Sequence, residues 1–335
     1  MIRRHPFLFL FVCIMFLAAA CLLTGPVSIG PLKVCAILFG MDSSLDTPRY
    51  IVLESRLPQM LTALLSGCAL AASGLMLQTA FRNPLAGPSI FGISSGASLG
   101  VALVMLMFGG TLSAGSLTFT GYAAILAGAA AGALMVTLVI VIMAQWVTSA
   151  TMMLIVGIMT GYVSGSLVSL LNFAATDQGV KSFFVWGMGD FSGVTTQMLP
   201  LYALLCVALL GLSLLFVKPL NALLLGRQYA ESMGINTHLA RMGLLVVTSL
   251  LTAVVTAFCG PIAFIGLAVP HIARMFLLTD NQSRLLPTSM LTGGAVSLLC
   301  NWICSLPASG GVIPLNAITP LIGAPVIIYV IIHHR

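Results

Sequence analysis

Gly260-Pro261-Ile262-Ala263-Phe264-Ile265-Gly266-Leu267, set beside Gly87-Pro88-Ser89-Ile90-Phe91-Gly92-Ile93, decides the fold. Each is an apolar segment interrupted by glycine and proline, and each follows a long hydrophobic run. Such interruptions break helices, because proline removes a backbone donor and glycine enters conformations that other residues avoid. Gly/Pro-interrupted segments in corresponding positions of two halves of a membrane chain point to an inverted repeat flanking a permeation path.

The rest of the chain has to be membrane-embedded for that reading to hold. Hydrophobic residues make up 59% of 335 and charged residues 6%, and the mean hydropathy is +1.14. A soluble domain cannot hide that much apolar surface, so an all-α polytopic membrane protein is expected. At about 20 apolar residues per crossing, ten spans are expected, near 6–24, 57–80, 90–108, 120–143, 152–173, 197–217, 241–258, 262–278, 285–304 and 314–332. The first is read as an uncleaved helix, since many spans follow it. The chain is one transmembrane domain, 1–335, with six spans over 6–217, a polar segment at 218–240 and four spans over 241–335.

Charge sets the orientation. With the amino terminus inside, the inner loops and tails hold Arg3, Arg4, Arg82, Lys218, Arg227, Arg241, Arg274, Arg284 and Arg335. The outer loops hold Lys33, Arg49, Arg56 and Lys181, with Asp42, Asp46, Glu54, Asp177 and Asp190. This satisfies the positive-inside rule, places both termini inside, and keeps charges out of hydrocarbon, where each would cost about 2.5–3.5 kcal/mol. The net charge of +6 is thus a topology signal and no sign of nucleic-acid binding. Close helix contacts are expected at Gly96-x-x-x-Gly100, Gly128-x-x-x-Gly132 and Gly157-x-x-x-Gly161-x-x-x-Gly165, where small residues let backbones approach.

The segment from Lys218 to Arg241 is the longest polar interval of the second half. Pro219 permits a helix start, while Leu223, Leu224, Tyr229, Ala230 and Met233 supply apolar groups near helical spacing. Gly226 and Gly234 divide it into two short helices, with Gly234 placed as a C-cap. Two readings stay open at this level: a docking surface for another protein, or an amphipathic connector on the bilayer.

Catalytic and metal chemistry finds little support. No GxxxxGK[ST] loop occurs, so the chain does not cradle ATP itself. Gly92-Ile-Ser-Ser-Gly96 matches GxSxG formally but opens an apolar helix and has no triad partners. The eight cysteines include no CxxC pair, and Cys300 and Cys304 at i, i+4 read as packing residues. His271, beside Pro270, is the clearest ionisable group within a span and reads as a hydrogen-bonding residue rather than a proton relay.

Several motifs, in order, resemble one family. Arg56-Leu57-Pro58, Ser73-Gly74, Gln78, Arg82-Asn83-Pro84-Leu85-Ala86, Pro88 and Gly92-Ile-Ser-Ser-Gly96-Ala97 come first. Trp186-Gly187-Met188-Gly189, Leu225-Gly226-x-x-x-Ala230-x-x-x-Gly234 and Gly260 through Pro270-His271-Ile272-Ala273-Arg274 follow. Together they resemble the FecCD-type permeases, the membrane subunits of ABC importers for ferric siderophores, haem and cobalamin. The resemblance implies spans two to five and seven to ten as inverted halves. It also implies a second permease subunit, leading to a homodimer in the bacterial inner membrane. Two cytoplasmic ATPases holding ATP-Mg and a periplasmic binding protein would complete the assembly, with no cofactor on this chain.

The same resemblance assigns roles by residue. Leu225, Gly226, Ala230, Met233 and Gly234 would couple to the ATPase, with Ala230 and Met233 in the contact. Ser149, Ala150 and Thr151, after Thr148, would form the cytoplasmic gate. Asn83, Pro84, Gly92, Gly260, Pro261, Gly266, Pro270 and His271 would form the broken-helix motifs, and Arg56 would dock the binding protein. The chain departs from the family pattern at Gln59, where a second arginine often stands, and at Asn301 and Ser305, where an Asp and an Arg are usual. Val312-Ile-Pro-Leu-Asn316 replaces a Glu-Leu-Pro-x-Gly. A different class, an ion-coupled secondary carrier with an inverted repeat, would require functional charges within the spans.

Overall fold

The computed structural model describes residues 6–41, 47–108, 111–114, 117–147, 149–306 and 313–333. In a layer without water, backbone N–H and C=O groups must be paired within the chain, so the apolar runs fold as helices. In order these are α1 (Pro6–Leu23), α2 (Pro31–Leu38), α3 (Thr47–Tyr50), α4 (Leu57–Phe81), α5 (Ile93–Ala102), α6 (Tyr122–Trp146), α7 (Ala150–Ala174) and α8 (Asp177–Gly187). Then come α9 (Leu199–Leu214), α10 (Val217–Leu225), α11 (Arg227–Ser232), α12 (Thr237–Cys259), α13 (Ile265–Leu277), α14 (Gln282–Cys304) and α15 (Leu315–His333). A short antiparallel hairpin, β1 (Thr111–Ala114) with β2 (Leu117–Thr120), interrupts the all-helical expectation outside the long helices.

A π-helical stretch, Ile51–Arg56, joins α3 to α4 as one 35-residue run. Pro58 explains it: proline cannot donate to the Glu54 carbonyl, and the register widens so that the Leu57 N–H bonds Val52 O.

Every one of the ten expected segments holds a helix. By length and apolar composition alone, five helices are long enough to cross, or six when α9 and α10, bent by 47°, are taken together. For two of the shorter helices the reason is physical. The expected spans 90–108 and 262–278 begin as buried, non-helical chain, so α5 and α13 start late and stay short. Phe91 in the first of these stretches is completely buried, the condition under which irregular backbone is tolerated at membrane depth.

Packing follows the inverted repeat. α4 lies along α14, and the corresponding helix α12 lies along α6. α5 packs on α6 and α7 as α13 packs on α14 and α15, while α9 touches both α4 and α12. α4 and α12 run in opposite directions: Ser66 Oγ is 3.5 Å from Cys259 Sγ, and seven residues on Ser73 Oγ donates to Thr248 O at 3.1 Å.

Backbone proximity drives these contacts, as expected where lipid offers no hydrophobic incentive for helices to associate. The first two glycine motifs meet each other: a Cβ on Gly100 would stand 1.9 Å from Gly128 O, and one on Gly132 2.1 Å from Gly96 O. The third receives the broken segment, with Gly157 against Ile90 and Phe91 and Gly161 against Gly92. The tightest approach joins the two repeats, where a Cβ on Gly74 of α4 would stand 1.6 Å from Gly266 O of α13.

Gly74→Ala should therefore force the two helices apart and exceed the usual overpacking cost of about 1–3 kcal/mol. Gly165→Ala, where a Cβ meets no described atom within 4 Å, should be neutral or gain up to about 1 kcal/mol from helix propensity. Melting temperatures of the two purified variants in detergent check the contrast.

Candidate transport path and coupling site

At one end of the bundle, α4 stops in a Schellman turn. Arg82 takes a left-handed conformation (φ 48°), its N–H bonds Thr79 O at 3.3 Å, and the Asn83 N–H reaches Gln78 O at 3.1 Å. Asn83 then organises the break, its side-chain oxygen accepting from Leu85 N at 2.9 Å and its carbonyl from Ala86 N at 3.1 Å. The carbonyl of Pro84 accepts from Nε2 of His271 at 2.9 Å, which ties the first broken segment to α13. Because a carbonyl only accepts, that nitrogen carries the proton.

Pro270 lies inside α13 and has no N–H for the Gly266 carbonyl. That carbonyl instead faces Gly74. One residue on, Gln78 Nε2 donates to Leu267 O at 3.1 Å, while Gln78 Oε1 accepts from Arg274 Nη1 at 2.8 Å. Arg274 Nε is also 3.7 Å from the Asp280 carboxylate. Gln78 and His271 thus stitch both repeats together at this end.

The opposite end carries the second break. Gly260 has φ 74°, and a Cβ there would stand 2.6 Å from Trp186 O, so glycine is required on both counts. The last carbonyls of α12 are paired from outside the helix, Phe258 O by the Tyr122 hydroxyl at 2.7 Å and Cys259 O by Asp190 N at 2.9 Å. Asn316 clasps the two turns. Its Nδ2 donates to Gly187 O at 3.1 Å and Pro261 O at 2.6 Å, its Oδ1 accepts from Ala263 N at 3.2 Å, and its own N–H reaches Met188 O at 3.1 Å. A largely apolar hollow of about 470 Å³ opens beside it, lined by Phe183 and Phe184 of α8, by Met188 just past its end, and by residues of α7 and α15.

Arg56 is placed differently from the sequence expectation of a binding-protein contact. It is 6% exposed, and its guanidinium donates to Leu22 O at 2.8 Å and to Val27 O. It closes the end of α1 onto the start of α4, so its donors face inward. The neutral residues at the departures also have partners: Gln59 Nε2 donates to Asn301 Oδ1 at 2.9 Å, and Ser305 Oγ to Asn301 O at 2.8 Å. Val312 lies outside the described residues.

The coupling segment folds as two short helices. Gly226, at φ 113° and ψ 160°, separates α10 from α11 in a region open in practice to glycine alone. α11 closes in a second Schellman turn, with Ile235 N to Ala230 O at 3.0 Å and Gly234 N to Glu231 O at 2.9 Å. Thr237 Oγ1 donates to Glu231 Oε1 at 2.8 Å, and the Asn236 side chain caps α12 through Leu239 N at 3.0 Å. α10 is held by α14 as well, since Asn221 Oδ1 accepts from Gln282 N at 2.8 Å at the start of that helix.

Ala230, expected in the partner contact, is completely buried and serves as packing beneath the pair. Leu225, Tyr229 and Met233 are 63%, 52% and 59% exposed and form the outward apolar face. Ser149 caps α7 through Met152 N at 3.5 Å, Ala150 begins that helix, and Thr151 is exposed beside it; Thr148 lies outside the described residues. Among the described residues no three His, Cys, Asp or Glu side chains converge as metal ligands. Sequence reasoning missed Asn316 as a clasp; its one available signal was an amide standing where the resembling family keeps glycine.

Comparison with known proteins bears on the whole chain. The FecCD transport family matches residues 11–333. A vitamin B12 import system permease protein, BtuC of Vibrio cholerae, is 33% identical over 98% of this chain and 92% of its own length. A hemin transport system permease protein, HmuU of Yersinia pestis, is 32% identical over 93% and 92%. A solved structure described as an inward-facing metal-chelate type ABC transporter superposes with a TM-score of 0.81 and 26% identity, covering 97% of this chain and 98% of that one.

Asn316→Ala removes the clasp and leaves the Ala263 N–H without its acceptor. Losing that bond is worth about 1 kcal/mol, so hydrogen exchange at the Ala263 amide should quicken roughly five- to tenfold relative to wild type.

Proposed function

The chain belongs to the FecCD transport family, and we propose that it serves as the membrane-spanning permease subunit of an ATP-driven importer for an iron chelate, haem or a cobalamin-like ligand. A periplasmic binding protein delivers the ligand and two cytoplasmic ATPase subunits holding ATP-Mg supply the energy. The chain itself performs no chemistry on the cargo. It lies in the bacterial inner membrane with both termini cytoplasmic, and a second copy completes the path against the open faces of α7 and α15, where Met159, Tyr162, Phe173 and Leu321 are exposed.

The observation that carries this reading is the α10–α11 pair. It presents Leu225, Tyr229 and Met233 outward while being fastened to α14 through Asn221 and to α12 through Glu231 and Thr237. A partner that grips this face and moves pulls on two helices of the second repeat at once, and through the Gln78 and His271 bonds on the first. Rigid helices then convert the pull into alternating access, as packed interfaces shift between discrete arrangements. The apolar hollow beside Asn316 supplies the outer half of a path for a bulky ligand without fixed charge. Reconstitution with the co-purifying ATPase and binding protein, followed by uptake assays with a ferric chelate, haem and cobalamin, tests the function; uptake driven by an ion gradient without ATP would overturn it in favour of a secondary carrier.

Two further outcomes are expected. Met233→Glu should weaken ATPase binding by roughly 2 kcal/mol or more, the size of a hot-spot loss, while the bundle keeps its melting temperature; unchanged co-purification would remove Met233 from the contact. Cysteines at Ser149 or Thr151 should crosslink between subunits when the inside is shut. A dimer that fails to crosslink in every nucleotide state would place the gate elsewhere.

A further inference from the structure

At the end of the bundle that carries the coupling segment, α4 is surrounded on every side. Gln78, Thr79, Ala80 and Phe81, one full helical turn, are all buried. The chain leaves that turn at Arg82, whose side chain is exposed. It therefore emerges in the middle of the end face rather than at the lipid perimeter. The guanidinium lies beside the coupling segment, since a Cβ on Gly226 would stand 3.8 Å from its Nη1. Leu225, which opens the outward apolar face, adjoins Gly226 in sequence.

Two features set this arginine apart. Its backbone is left-handed, at φ 48°, a conformation that costs every residue with a Cβ. The turn would close more cheaply on glycine, and a topology signal would serve at any position of the loop. It also has no carboxylate of its own. Of the seven acidic residues five fall on the outer side, and the remaining two are Glu231 and Asp280. Glu231 accepts from Thr237 Oγ1 at 2.8 Å, and Asp280 lies 3.7 Å from Arg274 Nε. Among the described residues nothing bonds the Arg82 guanidinium.

We propose that Arg82 is a second docking point for the ATPase subunit, paired with a carboxylate on the rim of the groove that takes Leu225, Tyr229 and Met233. An arginine beside exposed Leu, Tyr and Met side chains has the composition of an interface hot spot, and its planar fork suits a carboxylate. The inference rests on the permease reading and extends it. Leu225, Tyr229 and Met233 belong to the coupling segment, which is fastened to α14 and α12. Arg82 instead ends α4, so one partner holds both repeats directly and moves them against each other.

The test measures binding of the co-purifying ATPase to the full-length permease in lipid discs, at low and high salt. Arg82→Glu should weaken binding about tenfold at low salt, with a smaller gap at high salt, and Arg82→Lys should keep part of the affinity. Arg82→Gly separates docking from folding. It relieves the left-handed backbone, so the melting temperature should hold while ATPase affinity falls several-fold. The same losses in discs of phosphatidylcholine alone and in discs containing phosphatidylglycerol identify a protein partner. A loss confined to discs with phosphatidylglycerol would assign Arg82 to a lipid headgroup and overturn the proposal. Met233→Glu is the control: if it weakens binding while Arg82→Glu and Arg82→Gly bind as wild type, docking at Arg82 falls and the permease reading stands. If the ATPase does not bind even the wild-type chain, both fall.

Discussion

The approach of Gly74 to Gly266 is the constraint on which the rest of the structure depends. Pro270 takes away the donor that would hold the Gly266 carbonyl in its helix, and an open carbonyl inside a membrane protein is costly. Only a neighbour without a side chain lets another backbone come close enough to shield it. Gly74 does so, and Gln78, one turn along α4, bonds the adjacent Leu267 carbonyl directly. The two repeats are therefore joined through the defect that breaks one of them.

That junction makes the broken segments load-transmitting rather than loose. Pro84 is bonded to His271, and Gln78 links Leu267 to Arg274, so the inner ends of α4 and α13 move together. α10 and α11 attach beside them, to α14 and α12. At the other end the corresponding break is held by Asn316 at the turns of Gly187 and Pro261, and by Tyr122 and Asp190 N at the last carbonyls of α12. Both breaks are thus cross-braced by side chains distant in sequence, so neither is a loose loop.

Much of this was legible in local pattern. The echo of Gly87-Pro88 in Gly260-Pro261 marked both breaks, the glycine spacing of α5 and α6 marked their crossing, and Gly234 marked the end of α11. Each depends on neighbours a few residues away. Partners distant in sequence were not legible. Gly67 and Gly293 stand in no GxxxG motif, yet a Cβ on either would stand 2.1 or 2.2 Å from the other's carbonyl oxygen. Ala230 and Met233 lie three residues apart in one motif, and only the packing of α11 distinguishes the buried one from the exposed one. The inward bonding of Arg56 was hidden for the same reason: its acceptors, Leu22 O and Val27 O, are backbone atoms at and beyond a helix end that no side-chain pattern announces.

The departures from the family pattern become intelligible in the same way. Gln59 and Asn301 stand where charged residues are usual, and they are bonded to each other across α4 and α14. Asn301 is 4% exposed. At such a position an ion pair has to recover the desolvation of two charges, whereas an amide pair keeps a hydrogen bond with much less desolvation. Replacing one charge alone would strand the other in the interior, at a cost of about 3–5 kcal/mol. The two changes therefore belong together: one neutral contact, read twice in the sequence, adds to the glycine packing of α4 on α14 without any charge.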